Sequence, residues 1–377
     1  MEGEKLVEQE NIMIKILHVI GSMDIGGAEV MIMNLYRNID HNNFQFDFFL
    51  TDKKKSYFEK EIEDLGGNIY KSVNKSTNPF KYSIDLYRLI KKNQYKIIHI
   101  HATNAMVLLP LVISRFTNVE LRIVHSHNTM GLNRILQIIL RPFICVFSNK
   151  LLSCGELASK WMYGKHFQDA TIINLPIDSL KFLYNKHEYD RLKTIWKARE
   201  KIVFGYIGRL STQKNPMFLL EVYHKIHNIN NETMLIIVGK GEYKSSIIEK
   251  IKQYNLGESV ILIDEVSAAY DIINGFDGFI LPSLYEGFPT VLIEAQANGL
   301  PCYISDKITK KIELTDLVSF LSLSLDSTQW ANYILDDIIK KRKNDRKNYA
   351  SIVAMDYDVK IITKQVESIY RGYKNVG

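Results

Sequence analysis

Cysteine is scarce in this sequence, and two common kinds of segment are missing. The three cysteines, Cys145, Cys154 and Cys302, show no paired spacing, which argues against a disulfide framework or structural zinc and predicts a reducing compartment. The acidic stretch MEGEKLVEQEN lacks the basic region of a signal peptide. No G-x-G-x-x-G follows the first predicted strand, which argues against nicotinamide or flavin binding. We therefore expect a cytoplasmic protein without a dinucleotide cofactor.

A large excess of one charge is absent as well. The chain has 48 Lys and Arg against 42 Asp and Glu, a net charge of +6 that is too mild for a nucleic-acid-binding protein. Its 46% hydrophobic and 24% charged residues are typical of a soluble globular protein. Between Arg115 and Lys165, however, seven basic residues accompany only two acidic ones. This local excess favours an anionic surface or partner.

The longest apolar tract, Leu132–Phe147, is too short for a membrane span and is interrupted by two arginines and a proline. As a helix it would have one apolar and one polar face. Two interpretations stay open: a helix packed on the sheet, or an interfacial helix that touches anionic lipid at the inner face of the plasma membrane. The apolar face would carry Leu132, Ile135, Leu136, Ile139 and Phe143, and the polar face Arg134, Gln137 and Arg141.

Strand-like and helical segments alternate along the chain, which predicts an α/β fold with doubly wound parallel sheets. A length of 377 residues is enough for about two domains. Ligands of such sheets bind at the carboxyl ends of the strands. In the first half of the chain, the residues predicted there are Gly26, Gly27, His101, His125 and His127. Each histidine could equally be a helix cap or a hydrogen-bonded loop residue.

The most informative stretch is Leu281–Pro301, which reads LPSLYEGFPTVLIEAQANGLP. It predicts a buried strand that ends at Pro282-Ser283, a short polar loop, and a helix over Thr290–Ala297 that begins after Pro289. The free backbone amides at such a helix start form an anion site.

Two carboxylates, Glu286 in the loop and Glu294 in the helix, flank this helix start. Both can face one ligand and accept hydrogen bonds from its hydroxyls, and a sugar nucleotide has hydroxyls at both ends with a diphosphate between them. The alternative is a solvated loop residue and an acid that the helix dipole favours.

A second predicted strand end carries two cations. The apolar segment Lys201–Ile207 ends at Gly208-Arg209, and Lys214 follows in the next loop. An arginine binds phosphate through two nitrogens, and a lysine acts as a point charge. The pair therefore suits a diphosphate, although two solvated loop cations would give the same pattern.

Leu281–Pro301 closely resembles the donor-binding signature of the retaining glycosyltransferases of family 4, which have the GT-B fold. The match includes two glutamates at this spacing after a Pro-Ser strand end, the flanking Glu-Gly-Phe-Pro and the Ala-Asn-Gly-Leu-Pro. The resemblance extends over nearly the whole chain. It implies two Rossmann-like domains that face each other across a cleft, and no required metal or other cofactor.

The resemblance also implies a role for each candidate residue. Glu286 would contact hydroxyls of the transferred sugar, and Glu294 would hold the ribose of the nucleotide. Arg209 and Lys214 would stabilise the leaving diphosphate. Either His125 or His127 would lie near the transferred sugar on the acceptor side. The diphosphate would be lined by Gly26, Gly27, Gly208, Gly287, Phe288, Pro289 and Thr290, of which Pro289 has no N–H to donate.

The family pattern sets the expected domains and shows one departure. We expect an N-terminal acceptor-side domain over 1–175, with 1–11 as a flexible extension, and a donor domain over 176–347. A terminal helix within 348–377 would cross back to the first domain. After the predicted strand Val260–Ile263 the family usually has a glycine, whereas this chain has Asp264-Glu265, which could alter contacts to the base and ribose.

These observations predict a retaining hexosyltransferase that uses a nucleoside-diphosphate sugar, most simply a UDP-sugar. The expected acceptor is a saccharide or lipid-linked oligosaccharide of a bacterial capsule, exopolysaccharide or O-antigen. Two alternatives remain: a UDP-sugar 2-epimerase, whose fold is also GT-B, and a non-catalytic paralogue that binds the nucleotide sugar. A metal-dependent enzyme would need an Asp-x-Asp at a strand end, and the only one, Asp356-Tyr357-Asp358, lies in the terminal helical region.

Overall fold

The chain folds into two compact units, each with one parallel β-sheet. The first unit contains the chain up to Pro176 and from Val359 onward, and the second contains Ile177–Asp358. The predictions for residues 1–11, Gly287 and Glu265 lie outside the residues that the structure describes. This computed structural model describes residues 13–102, 104–128, 134–264, 266, 269–286, 288–341, 346 and 349–372.

The first unit is built around a seven-stranded sheet. Its strands are β1 (Ile14–Ile20), β2 (Phe44–Leu50), β3 (Ile69–Lys71), β4 (Ile97–Ala102), β5 (Leu121–Ser126), β6 (Lys150–Ser153) and β7 (Thr171–Ile172). The helices between them are α1 (Gly27–Asn38), α2 (Glu59–Asp64), α3 (Pro79–Asn93), α4 (Leu108–Arg115), α5 (Arg134–Phe147) and α6 (Glu156–Tyr163). The parallel strands lie in the order β3-β2-β1-β4-β5-β6-β7. The order reverses between β1 and β4, which is where doubly wound sheets form a ligand crevice.

The second unit repeats this architecture with six strands. After helix α7 (Lys186–Ile195), its strands are β8 (Ile202–Ile207), β9 (Thr233–Val238), β10 (Val260–Ile263), β11 (Gly278–Leu281), β12 (Cys302–Ser305) and β13 (Val318–Leu321). The helices among them are α8 (Pro216–Ile229), α9 (Lys244–Gln253), α10 (Tyr270–Ile273), α11 (Thr290–Ala297) and α12 (Ser327–Lys341). The order β10-β9-β8-β11-β12-β13 reverses between β8 and β11. All six residues of β9 are buried, as expected for a strand covered by helices on both faces.

The terminal helical region is two helices rather than one. The first, α13 (Ala350–Tyr357), belongs to the second unit, and the second, α14 (Val359–Arg371), belongs to the first unit and contacts α1. Asp358 separates them because its backbone is extended and its carboxylate accepts a 2.7 Å hydrogen bond from Ser179 Oγ. The return to the first unit therefore occurs at Val359, later than the predicted 348. Asp358 is engaged in this local contact at the helix end.

Of the two interpretations of α5, the structure does not support the one in which its apolar face packs on the sheet. The inner side of the helix is mixed: Gln137 is buried against Met162, the Arg141 guanidinium lies over the Trp161 ring at 5.4 Å, and Leu140 packs on the core, whereas Arg134 is exposed. Six of its large apolar side chains are 38–75% exposed, and Ile144 is buried. These exposed side chains are Ile135, Leu136, Ile138, Ile139, Phe143 and Val146. In the described part of the chain, no helix has the length and hydropathy that crossing a membrane requires.

Candidate functional site

In the second unit, the loops after β8 and β11 are joined at the carboxyl edge of the sheet. Leu284 donates its backbone N–H to the Gln213 carbonyl at 2.8 Å, and Gln213 Nε2 donates to the Tyr285 carbonyl at 3.1 Å. Asn215 Nδ2 also donates to the Pro282 carbonyl at 3.2 Å. The two loops that carry the predicted cations and the predicted loop carboxylate are thus held together where the strand order reverses.

Glu286 lies at the centre of this junction. Its Oε1 forms an ion pair with Lys214 Nζ at 2.5 Å and accepts a hydrogen bond from Ser283 Oγ at 2.7 Å. Its Oε2 accepts from Gln213 Nε2 at 3.3 Å. The side chain is only 6% exposed, so the carboxylate is oriented by three partners and mostly shielded from water. The sequence predicted Glu286 and Lys214 but not their direct contact.

Gln213 and Ser283 are site residues that sequence reasoning missed. Both had a local signal: Gln213 directly precedes the predicted Lys214, and Ser283 ends a predicted strand three residues before Glu286. Each is an ordinary polar residue in a loop, so that signal was weak without knowledge of the neighbouring loop. The structure shows that they fix both oxygens of one carboxylate.

Arg209, the second predicted cation, stands beside Lys214 at the end of β8. It is exposed, and no carboxylate in the described ranges forms an ion pair with it. Its backbone carbonyl accepts a 3.0 Å hydrogen bond from the Tyr206 hydroxyl. Burial, and secondarily the charge of Glu286, raises the pKa of Tyr206 well above its ordinary value, so this hydroxyl stays a donor. The Arg209 guanidinium is therefore available to an anionic ligand.

Glycines let the neighbouring loop approach this strand end. At Gly239, where φ is +152°, a Cβ would lie 1.9 Å from the Gly208 carbonyl oxygen. At Gly241, where φ is +159°, a Cβ would lie 2.2 Å from the Leu210 carbonyl oxygen. Both positions thus require glycine for backbone conformation and for space. Gly208 itself lies close to Lys214, since its Cβ would be 3.6 Å from Lys214 Cε.

Glu294, in the second turn of α11, has a different environment from Glu286. It is partly buried, and no donor among the described residues contacts its carboxylate. Burial raises its pKa to about 7. The helix dipole would shift the pKa in the opposite direction, so burial is the larger influence on this carboxyl group. An ionised Glu294 needs hydrogen-bond donors that a bound ligand can supply.

The start of α11 leaves its first backbone amides without a side-chain cap. Pro289 occupies the N-cap position in an extended conformation, and its side chain forms no capping hydrogen bond. Phe288 stacks on Tyr357 with ring centroids 5.7 Å apart, which fixes the entry to the helix. Thr290 is then the first helical residue. Open amides at this position suit an anion, as the sequence predicted.

Asp264, where the chain departs from the family pattern, is paired at the surface. Its carboxylate lies 2.5 Å from Lys244 Nζ, and this hydrogen bond is the main reason why its pKa is lowered. Lys244 begins α9, so the pair connects the end of β10 to the neighbouring helix. The negative charge of Asp264 is therefore offset locally by a lysine.

In the first unit, the predicted histidines belong to a cluster of five. His101 Nε2 lies 2.9 Å from His18 Nδ1, and His101 Nδ1 lies 2.9 Å from His127 Nε2. His99 Nε2 lies 3.3 Å from His125 Nδ1, so both predicted alternatives, His125 and His127, are held by neighbouring imidazoles. Burial lowers the pKa of His127 to about 4 and that of His18 to about 3, and it lowers the pKa values of the other three histidines well below the ordinary value. All five rings are therefore neutral near pH 7.

His18 and His99 complete this cluster but were not among the predicted site residues. Their signal lay in the spacing, because His99 and His101, and likewise His125 and His127, are two residues apart at adjacent strand ends. Residues with that spacing point to the same face of a sheet. His18 joins them because β1 pairs with β4 in a register that aligns it with His99.

Gly26 and Gly27 open α1 at the carboxyl edge of the same sheet. Gly26 is the N-cap, and Gly27 is the first helical residue. A Cβ on Gly26 would lie 2.3 Å from a carboxylate oxygen of Glu29. Because this oxygen ends a flexible side chain that can move aside, the contact does not by itself require glycine, and the approach of Gly26 to phosphate stays a prediction.

Comparison with known proteins identifies the family of the chain. The family profile described as "Glycosyl transferases group 1" matches residues 190–348, and the profile "Glycosyltransferase Family 4" matches residues 25–158. The putative glycosyltransferase EpsF of Bacillus subtilis is 34% identical over 334 residues, which span 85% of this chain and 86% of that protein.

Two further relatives match over almost their full length. The capsular polysaccharide biosynthesis glycosyltransferase CapH of Staphylococcus aureus is 27% identical and covers 95% of this chain and 99% of its own. The Escherichia coli UDP-Gal:alpha-D-GlcNAc-diphosphoundecaprenol alpha-1,3-galactosyltransferase is 26% identical and covers 90% and 94%.

A solved structure shares the fold. Anabaena HepE, crystallised in complex with UDP, aligns with a TM-score of 0.80 at 16% identity and covers 95% of this chain and all of that one. Two parallel Rossmann-like units and this likeness confirm the predicted fold class. The chain is a glycosyltransferase of family 4 with the GT-B fold, as its donor-binding signature predicted.

Proposed function

We propose that this transferase moves a hexose or N-acetylhexosamine from a UDP-sugar to a growing, lipid-linked bacterial surface polysaccharide and retains the anomeric configuration. The observation that carries the proposal is the Lys214–Glu286 ion pair, with the exposed Arg209 following the same strand, at the reversal of the sheet. The printed names of relatives support the substrate class, since one is a UDP-galactose and diphosphoundecaprenol enzyme and another acts in capsule biosynthesis.

The chemistry follows from where charge develops. As the bond between the sugar and the diphosphate breaks, negative charge grows on the diphosphate. Lys214 and Arg209 stabilise this charge together with the open amides at the start of α11, and fixed groups of this kind are a large source of rate enhancement. In this proposal the protein's own cations replace a divalent metal at the diphosphate, and no cofactor is needed.

The two glutamates orient the two ends of the donor. Glu286 is held in place by Ser283 and Gln213, so that it accepts hydrogen bonds from hydroxyls of the transferred sugar at a fixed position. No donor in the described ranges contacts the Glu294 carboxylate, and in this proposal the ribose hydroxyls donate hydrogen bonds to it. The role of His125 or His127 near the transferred sugar stays a prediction from the family resemblance.

A membrane-facing role for the first unit fits the proposed lipid-linked acceptor. Helix α5 exposes Ile135, Ile139, Phe143 and Val146, and Arg134 at its start has no acidic partner among the described residues. Apolar side chains that enter the acyl boundary and an arginine that meets anionic headgroups are the two components of interfacial binding. We assign this face to the inner surface of an anionic bilayer.

The direct test is a thermal-shift and hydrolysis screen of the purified protein with UDP-, GDP- and ADP-sugars, each with and without EDTA. We expect one UDP-sugar to raise Tm and to release UDP slowly whether or not EDTA is present. The product anomer formed with a lipid-linked acceptor, read by NMR, tests retention. Conversion between UDP-sugars without UDP release would support the epimerase instead, and no response to any nucleotide would support a non-catalytic protein.

A further inference from the structure

The histidine cluster of the first unit has more members than the one histidine that the family resemblance places near the transferred sugar. Its five members are His18 on β1, His99 and His101 on β4, His125 on β5 and His127 directly after β5. They converge because the parallel register places His18 beside His99 and His101 beside His125. Such a concentration of imidazoles on one sheet edge is more than a single acceptor contact requires.

We propose that His101, His125 and His127 bind one divalent transition-metal ion of the zinc class. One ring nitrogen from each of the three lies within 4.8 Å of the others. No carboxylate is part of this group in the described chain. Three imidazoles without oxygen ligands suit Zn²⁺, Cu²⁺ or Ni²⁺ and not Mg²⁺ or Ca²⁺.

Each ring has a nitrogen to contribute. His125 is 1% exposed, and its Nε2 is a buried atom without a hydrogen-bond partner, which is costly unless something binds it. His101 Nδ1 and His127 Nε2 face each other at 2.9 Å. Two nitrogens on a tetrahedral zinc are about 3.4 Å apart, so the ion replaces their hydrogen bond after a shift of about 0.5 Å.

The other two histidines are placed as outer partners of the ligands. With the metal on His101 Nδ1, its Nε2–H donates to His18 Nδ1 at 2.9 Å. With the metal on His125 Nε2, its Nδ1–H donates to His99 Nε2 at 3.3 Å, and His99 Nδ1 in turn meets the Tyr370 hydroxyl at 2.7 Å. Every imidazole stays neutral in this arrangement and no proton is released. Ligating histidines in metalloproteins are oriented by such outer hydrogen bonds.

We prefer this group of three histidines to a deeper group because His127 is partly exposed. A second group, His18, His99 and His101, also has convergent nitrogens, but all three of its members are buried. His127 gives the outer group a route for an ion and leaves a coordination position for water.

The test is equilibrium dialysis of tag-free, EDTA-treated protein against Zn²⁺ alone, followed by Co²⁺ absorption spectroscopy to report the ligand geometry. We expect one ion per chain and intense tetrahedral Co²⁺ bands. His127→Ala should weaken Zn²⁺ binding at least about 100-fold, and the outer variant His99→Gln about 10-fold to 100-fold. The matched control is His166→Ala, an exposed histidine outside the cluster, which should leave binding unchanged.

Circular dichroism and the Tm of each variant separate loss of ligand from loss of fold. The proposal is overturned if the wild-type protein binds no Zn²⁺ at micromolar concentration or if folded His127→Ala binds it as tightly as the wild type. Loss of binding in folded His18→Phe with full binding in His127→Ala would place the ion in the deeper group and would equally reject the proposed ligand set. Neither result depends on the identity of the sugar donor.

Discussion

Lys214 Nζ lies 2.5 Å from Glu286 Oε1, so the cation expected at the leaving diphosphate and the carboxylate expected at the sugar are paired with each other. Both side chains are largely buried, at 17% and 6% exposure. A donor that places its diphosphate at Lys214 and its sugar at Glu286 brings its reacting bond between two groups that are already oriented. In the proposed reaction, the pair would couple leaving-group stabilisation to sugar positioning.

Glu286→Gln should lower kcat by about 100-fold or more while UDP binding stays nearly intact, because the lost interaction is with the sugar and not with the nucleotide. Steady-state kinetics with the donor identified by the screen, together with calorimetric titration of UDP, would measure both effects. The control is Glu249→Gln on the exposed face of α9. Turnover near the wild-type rate would contradict the role of Glu286.

Lys214→Ala should weaken UDP binding by about 10-fold to 100-fold and leave uridine binding unchanged, since only the diphosphate interacts with the ammonium group. Titrations of UDP and uridine on the same protein would compare the two. Lys252→Ala, an exposed lysine of α9, serves as the control. An equal loss of affinity for UDP and uridine would indicate that the substitution deforms the site, and it would contradict a specific role of the Lys214 charge.

Glu294 should make stability depend on pH. Because burial raises its folded-state pKa to about 7 from 4.5, its contribution is fully present below pH 4.5 and is lost as pH rises through 7. Relative to Glu294→Gln, the wild-type free energy of unfolding should fall by about 2 kcal/mol between pH 5 and pH 8. Urea titrations of both proteins at the two pH values measure this difference.

UDP provides the internal check on Glu294. Ribose hydroxyls that donate to the ionised carboxylate favour the charged form. Saturating UDP should therefore reduce the pH-dependent difference between wild type and Glu294→Gln. A difference that UDP does not change would mean that Glu294 lies outside the nucleotide contact.

Helix α5 should govern binding to anionic vesicles. Replacing Ile135 and Ile139 with serine removes two exposed apolar side chains, each of which contributes about 1.5–3 kcal/mol when fully buried. We expect the double variant to co-sediment at least about 10-fold less with vesicles that contain phosphatidylglycerol. Ile361→Ser on α14, a comparably exposed isoleucine, should not change sedimentation. Equal sedimentation of wild type and double variant would reject the membrane assignment.

A buried ion pair, Lys193–Asp277, should stabilise the second unit. Its atoms are 2.5 Å apart, both side chains are almost inaccessible, and Asp277 also accepts hydrogen bonds from the Val203 amide and the Tyr189 hydroxyl. Lys193→Ala should lower the free energy of unfolding by about 3–5 kcal/mol because it removes the cation that lies 2.5 Å from this buried carboxylate. Denaturant titration would measure this loss.

The matched control for that pair lies on the same helix. Lys186 and Asp190 form an exposed ion pair on α7, and Lys186→Ala should cost less than about 1 kcal/mol. A similar cost for both lysine variants would contradict the special contribution of the buried pair.

The sequence alone determined the fold class and predicted a donor site. Apolar strands that alternate with helices specify parallel sheets, and parallel sheets place their ligands at strand ends, so that Arg209, Lys214, Glu286 and Glu294 could be proposed as site residues from local pattern. The fold class follows from patterns between residues that are close together in the chain, and the donor site stays a prediction.

Only the tertiary structure decided which groups meet. Glu286 is fixed by Lys214, which is distant in sequence, and the histidines of β1, β4 and β5 converge through strand register. The sequence left the environment of the apolar face of α5 open, because its own pattern identifies an apolar face but not what lies beside it; in the structure Arg141 faces Trp161, and most of the predicted apolar face is exposed. Long-range contacts and the choice of buried face depend on neighbouring elements, and no local segment encodes them.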